Sequence, residues 1–135
     1  MVRTVTRLAT PVIVCVAAVF SAAAFAYWTL VAAPFASPVQ LVVAFPYLVP
    51  VLFPYVAMLG VHKRSVDTFS QWTTVIMSIL AAFGALSLYW PAFFPNGGEY
   101  GVEFVIVPIA QLLLVLTAWG IATWRRRVTA RSVSP

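Results

Sequence analysis

Charge is what this sequence has least of. Charged residues make up 8% of it, with eight Lys or Arg, three acids and one histidine, where a soluble domain carries about a quarter. Away from their ends, the four long apolar stretches contain no Asp, Glu, Lys, Arg or His. That gap argues against proton relays, voltage sensors and proton-coupled exporters, which need an ionisable group at membrane depth. A retinal-type Schiff base lacks its buried lysine. Haem ligation finds one histidine, His62, at the end of the second stretch. The single cysteine, Cys15, forms no intrachain disulfide, and with one histidine it builds no zinc site. No metal or other cofactor is expected.

What is present is hydrophobic length. Apolar residues make up 63% of the chain and the mean hydropathy is +1.00, so a membrane is the expected solvent. Hydropathy predicts four helices over about 11–33, 39–61, 68–90 and 102–124, each about 32 to 35 Å long. A basic tail over 125–135 follows. Thr10 and Pro11 read as N-cap and first residue of span 1, and Ser37-Pro38-Val39-Gln40 as a capping box before span 2. Asp67 stands at the positive end of span 3, and Pro95-Asn96-Gly97-Gly98 reads as a turn before span 4. Ala24-Phe25-Ala26 resembles a signal-peptidase site, but the apolar run continues past it to Ala33, so a retained helix is expected. The expected fold is all-α, a four-helix integral membrane bundle, with short loops making consecutive helices antiparallel neighbours.

The net charge of +5 is a topology signal. Arg3 and Arg7 precede span 1, Lys63 and Arg64 lie between spans 2 and 3, and Arg125, Arg126, Arg127 and Arg131 follow span 4. Four crossings put all of them on one side, which the positive-inside rule makes cytoplasmic, with both termini there. A bacterial-type plasma membrane is the expected location. Tyr27, Trp28, Tyr89, Trp90 and Tyr100 read as one aromatic belt and Trp72, Trp119 and Trp124 as the other. Nucleic acid is not an expected partner, because no basic face interleaved with aromatics is present.

Span 2 carries Pro46, Pro50 and Pro54 at four-residue spacing. Each proline denies an N–H to the carbonyl four residues back, so Val42, Pro46 and Pro50 lose their donors. A kinked helix is expected, with a carbonyl face that must be satisfied by protein, water or a ligand. Phe45-Pro46-Tyr47 recurs as Phe53-Pro54-Tyr55. Candidate ligand or pore residues are therefore Val42, Pro46, Tyr47, Pro50, Pro54 and Tyr55, with Gln111 of span 4, whose alternative role is an interhelical hydrogen bond. Pro108 similarly frees the Phe104 carbonyl. Glu99 and Glu103 are weak cation candidates, best read as solvated acids at a helix N-terminus.

Cys15, Ala18, Ala22, Ala26, Thr29 and Ala33 form a small-residue stripe of the kind that packs membrane helices. The leading expectation is a non-catalytic accessory or assembly subunit, in a bilayer, packing against other membrane subunits or itself. The alternative is a channel or carrier for a cation or small polar solute lined by the broken span 2. A weaker one is a lipid-modifying enzyme using His62 and Asp67.

Overall fold

The computed structural model describes residues 2–32, 38–94 and 102–133. Over these the chain is all-α: α1 (Val2–Tyr27) ending in a π-helical turn (Trp28–Ala32), α2 (Pro38–Arg64), α3 (Thr68–Tyr89) ending in a 3-10 turn (Trp90–Phe93), and α4 (Glu103–Val133). All four helices are long and apolar enough to cross a membrane. The capping box at Ser37, the turn at 95–98, Glu99, Tyr100 and Ala33 lie outside the described residues.

Two helix ends differ from the sequence reading. α1 begins at Val2, so Thr10 and Pro11 are interior residues and do not start it. α4 runs on to Val133, and the basic segment expected as a tail is helical almost throughout. Arginine and alanine are good helix formers, so the helix continues after the apolar run stops.

The packing order also departs from expectation. α1 lies against α2 and α3, and α4 lies against α2 and α3, while α2 and α3 themselves approach much less closely. α2 and α3 are therefore not side-by-side neighbours, although only residues 65–67 join them. Contacts fix the directions: Thr6 meets Gln71 and Tyr27 meets Phe93, so α1 and α3 run parallel. Ser21 meets Tyr55 while Arg7 meets His62, and Gln111 meets Ala81 while Arg125 meets Asp67, so α1/α2 and α3/α4 are antiparallel.

The faces that α1 and α3 bury explain why they pair. α1 buries Thr6, Thr10, Val14, Ala17, Ser21 and Ala24, and α3 buries Ser70, Thr74, Ser78, Ala81 and Ala85. These are small or hydroxyl-bearing side chains at three- and four-residue spacing, which lets two backbones approach in a solvent that gives helices no hydrophobic reason to associate. Several hydroxyls bond the carbonyl one turn back within their own helix: Ser21 to Ala17, Thr74 to Ser70, and Ser78 to Thr74. A buried hydroxyl is satisfied locally in this way and can sit against apolar neighbours. The buried line on α1 is rotated from the expected stripe. Cys15 is exposed, Ala18, Ala22 and Ala26 are half-buried, and Thr29 is buried, its hydroxyl on the Phe25 carbonyl.

Two apolar clusters stack along the bundle. Towards the arginine-rich end, Val14, Ala17, Tyr55, Met58, Val61, Val115, Ala118 and Ala122 pack together. Towards the other end, Ala24, Phe25, Val51, Ala85, Tyr89, Phe104 and Val107 do so. Tyr89, expected at a membrane surface, is 1% exposed and belongs to this second core. Trp72, Trp90, Trp119 and Trp124 are exposed.

Candidate functional site

The proline ladder winds around its helix. Four residues advance an α-helix by about 400°, so each successive proline is rotated roughly 40° from the last. Pro46 and Pro50 are accordingly exposed while Pro54 has turned into the bundle beside Tyr55 and Met58. α2 stays one helix throughout. Of the residues whose carbonyls lose a donor, Val42, Pro46 and Pro50 all lie on exposed positions.

A fourth interior proline repeats this chemistry and finds an answer. Pro11 deprives the Arg7 carbonyl of its N–H, and His62 Nε2 lies 3.2 Å from that oxygen. The carbonyl can only accept, so the proton is on Nε2. A side chain from the end of α2 thus replaces the missing helical bond of α1. Span hydropathy hid this, because it placed Pro11 at a helix start.

The centre of the bundle is tied by a chain of polar groups. Gln111 Nε2 donates to Tyr55 Oη at 2.8 Å and to the Ala81 carbonyl at 3.1 Å. Ser21 Oγ donates to the Ala17 carbonyl at 2.8 Å, leaving its oxygen to accept from Tyr55 Oη at 2.7 Å. Gln111, Tyr55, Ser21 and Ala81 come from four different helices. Every helix is held at one depth by hydrogen bonds that lipid cannot supply. Sequence reasoning named Tyr55 as a ligand or pore residue and Gln111 as one or as an interhelical hydrogen-bonder, and it did not single out Ser21, since a hydroxyl in an alanine run gives no sign of its partner. Among the described residues, the buried side-chain atoms without a hydrogen-bond partner are Thr10 Oγ1, His62 Nδ1, Tyr89 Oη and Gln111 Oε1.

At the arginine-rich end, Asp67 caps α3. Its carboxylate accepts from the Ser70 N–H at 3.4 Å, from Ser70 Oγ, and from Arg125 Nε at 3.2 Å. Burial pushes this carboxyl up, but the Ser70 hydrogen bonds and the Arg125 guanidinium outweigh it and hold it below its ordinary value. Arg125 also lies over the Phe69 ring, 5.4 Å from its centre. Thr6 Oγ1 donates to Gln71 Oε1 at 3.0 Å, and Gln71 Nε2 to the Ser65 carbonyl at 3.4 Å. His62 and Asp67, the enzyme candidates, are both engaged in structural bonds.

At the opposite end the fastening is aromatic. Phe104 stacks on Tyr89 at 4.8 Å, meets Phe25 edge-on at 5.3 Å and lies 5.6 Å from Trp28. In front of Phe25 and Phe104 a groove of about 700 Å³ opens between α2 and α4, lined also by Tyr47, Pro50, Phe53 and Pro108. Two lining residues, Pro50 and Phe104, are ones whose carbonyls lose a helical donor, to Pro54 and Pro108. Glu103 is half-buried in the first turn of α4. Among the described residues no group of three His, Cys, Asp or Glu comes together to hold a metal.

These features define a four-helix bundle whose helices are all long and apolar enough to span a membrane. Compared with family models, curated proteins and solved structures, the chain gives no significant match in any of the three.

Proposed function

We propose that the chain is a small non-catalytic subunit of a membrane assembly, or of an oligomer of itself, and that the outward side of α2 is the surface it uses. The observation that supports this is the incomplete cover of α2. In its most hydrophobic stretch 22% of residues are buried, against 33% in each of the other three helices. Val42, Phe45, Pro46, Val49, Phe53 and Val56 project outward, and a hollow of about 270 Å³ lies among Phe45, Leu48, Val49, Leu52, Phe53 and Val56 of this one helix.

Exposure alone would suit lipid. Val42 and Pro46, whose carbonyls lose their donors to Pro46 and Pro50, are exposed on the same side, and an acyl chain has no donor to offer a freed carbonyl. A helix bearing serine, threonine or another donor does. In this reading α2 bends at its prolines, both termini are cytoplasmic, and the bundle sits in a bacterial-type plasma membrane. It ranks above a channel or carrier because the Gln111–Tyr55–Ser21 chain fills the centre of the bundle at the depth of the ladder. It ranks above a lipid-modifying enzyme because His62 and Asp67 are already bonded within the fold.

Single cysteines placed at Val42, Val49 and Val56, with Cys15 replaced by serine, test this in native membranes. The expected result is crosslinked species of defined mass at these positions and none from Val16 or Val19 on the exposed side of α1. Absence of adducts, together with a lone monomer by native mass measurement in mild detergent, would overturn the reading.

A further inference from the structure

At the arginine-rich end, α2 and α4 converge on a pocket of about 240 Å³ lined by Arg64, Trp119, Ala122, Thr123 and Arg126. The spacing makes it possible. Trp119, Ala122, Thr123 and Arg126 recur every three or four residues on one side of α4, and Arg64 is the last residue of α2. Arg64 and Arg126, from different helices, thus line one small hollow together with Trp119 and Thr123.

Such a pair repels unless an anion lies between the charges. Among the described residues the fold provides none. Asp67, the acid at this end, is engaged with Arg125, and Glu103 is at the opposite end of α4. Guanidinium groups bind phosphate through paired N–H donors, and the Thr123 hydroxyl and the Trp119 N–H add donors of the kind phosphate oxygens accept. The depth is that of a membrane surface, with exposed Trp119 and Trp124 beside a run of arginines.

The same pair of helices carries an apolar groove further inward. Along α2, Arg64 is eleven residues from Phe53, about 16 Å, and Phe53 with Leu112 lines the near end of the α2–α4 groove. An acyl chain of sixteen to eighteen carbons spans roughly that distance. We propose that the Arg64–Arg126 pocket binds the phosphate of an anionic phospholipid, with one acyl chain laid along the seam between α2 and α4 towards the groove. Charge complementarity selects the headgroup, and the apolar groove further along the same two helices, within reach of an acyl chain, selects a lipid over a free phosphate. The site rests on the bundle lying in a bilayer, and its headgroup pocket shares no residue with the outward side of α2 proposed for a helix partner.

Native mass spectrometry of the full chain from mild detergent, with phosphatidylglycerol and phosphatidylcholine added in equal amounts, tests it. The expected result is one tightly retained phosphatidylglycerol. The double variant Arg64→Gln/Arg126→Gln should bind it roughly 30-fold more weakly, from two lost headgroup charges. Arg127→Gln/Arg131→Gln removes the same net charge outside the pocket and should bind as the unaltered chain does. Equal losses in the two double variants, or equal retention of the two lipids, would overturn the site. Displacement of the lipid by millimolar inorganic phosphate would overturn the assignment to a lipid. Thermal unfolding of both variants in the same detergent separates lost binding from lost folding.

Discussion

The two ends of this bundle are fastened by different physics. At the arginine-rich end the joints are directional and polar: His62 on the Arg7 carbonyl, Thr6 on Gln71, Gln71 on the Ser65 carbonyl, and Arg125 on Asp67. At the other end they are aromatic, with Phe104 contacting Tyr89, Phe25 and Trp28, and Phe93 contacting Phe20 and Tyr27. Between them sits the Gln111–Tyr55–Ser21 chain. In hydrocarbon, apolar burial alone does not hold helices together, so a bundle needs either groups that lipid cannot satisfy or shapes that lipid cannot match. This protein uses the first at one end and the second at the other.

If that contrast is right, the largest loss comes from removing shape at the aromatic end. Phe104→Ala takes away three ring contacts and leaves a cavity, and should cost about 2 to 3 kcal/mol in a reversible unfolding assay in bicelles. Phe104→Leu should recover much of it, because size matters there more than hydrogen bonding. Gln111→Leu should follow, at about 1 to 2 kcal/mol, through its bonds to Tyr55 and Ala81. An effect of Gln111→Leu larger than that of Phe104→Ala would place the weight of the fold on the central chain.

At the arginine-rich end, His62→Ala should cost about 1 kcal/mol by leaving the Arg7 carbonyl without a donor. The same change made on a Pro11→Ala background should cost less, since residue 11 then supplies the helical N–H. Identical costs in the two backgrounds, measured as a double-mutant cycle, would remove His62 from this role.

The smallest effect belongs to Asp67. Its folded-state carboxyl titrates below the ordinary value, so the stability it contributes is present above about pH 4 and is lost as pH falls through the folded value. The ion pair with Arg125 is partly exposed, with 36% and 29% of the two side chains accessible, so solvent screening leaves about 0.5 kcal/mol for it. Asp67→Asn should flatten this acid limb of the stability profile and lower the neutral-pH value by about the same 0.5 kcal/mol. An undiminished acid limb in the variant would assign it to another group.

Span number, the all-α class and the uneven placement of arginines were legible in the sequence, because each depends on composition along a single stretch of chain. So was the chemistry of the proline ladder, since the loss of a donor four residues back is a covalent fact about proline. Which way each proline faces was not legible. That depends on how α2 is rotated against α1 and α4, and the structure turns Pro46 and Pro50 outward and Pro54 inward. The pairing of α1 with α3 also needed the tertiary structure, because hydroxyl and alanine faces reveal their use only when a second such face is close enough to bond. The sequence by itself determined four spans, their apolar length and the donors that its prolines withhold. The packed structure decided which withheld donors are replaced, as His62 replaces one for Arg7, and which helix, α2, is left with its side least covered.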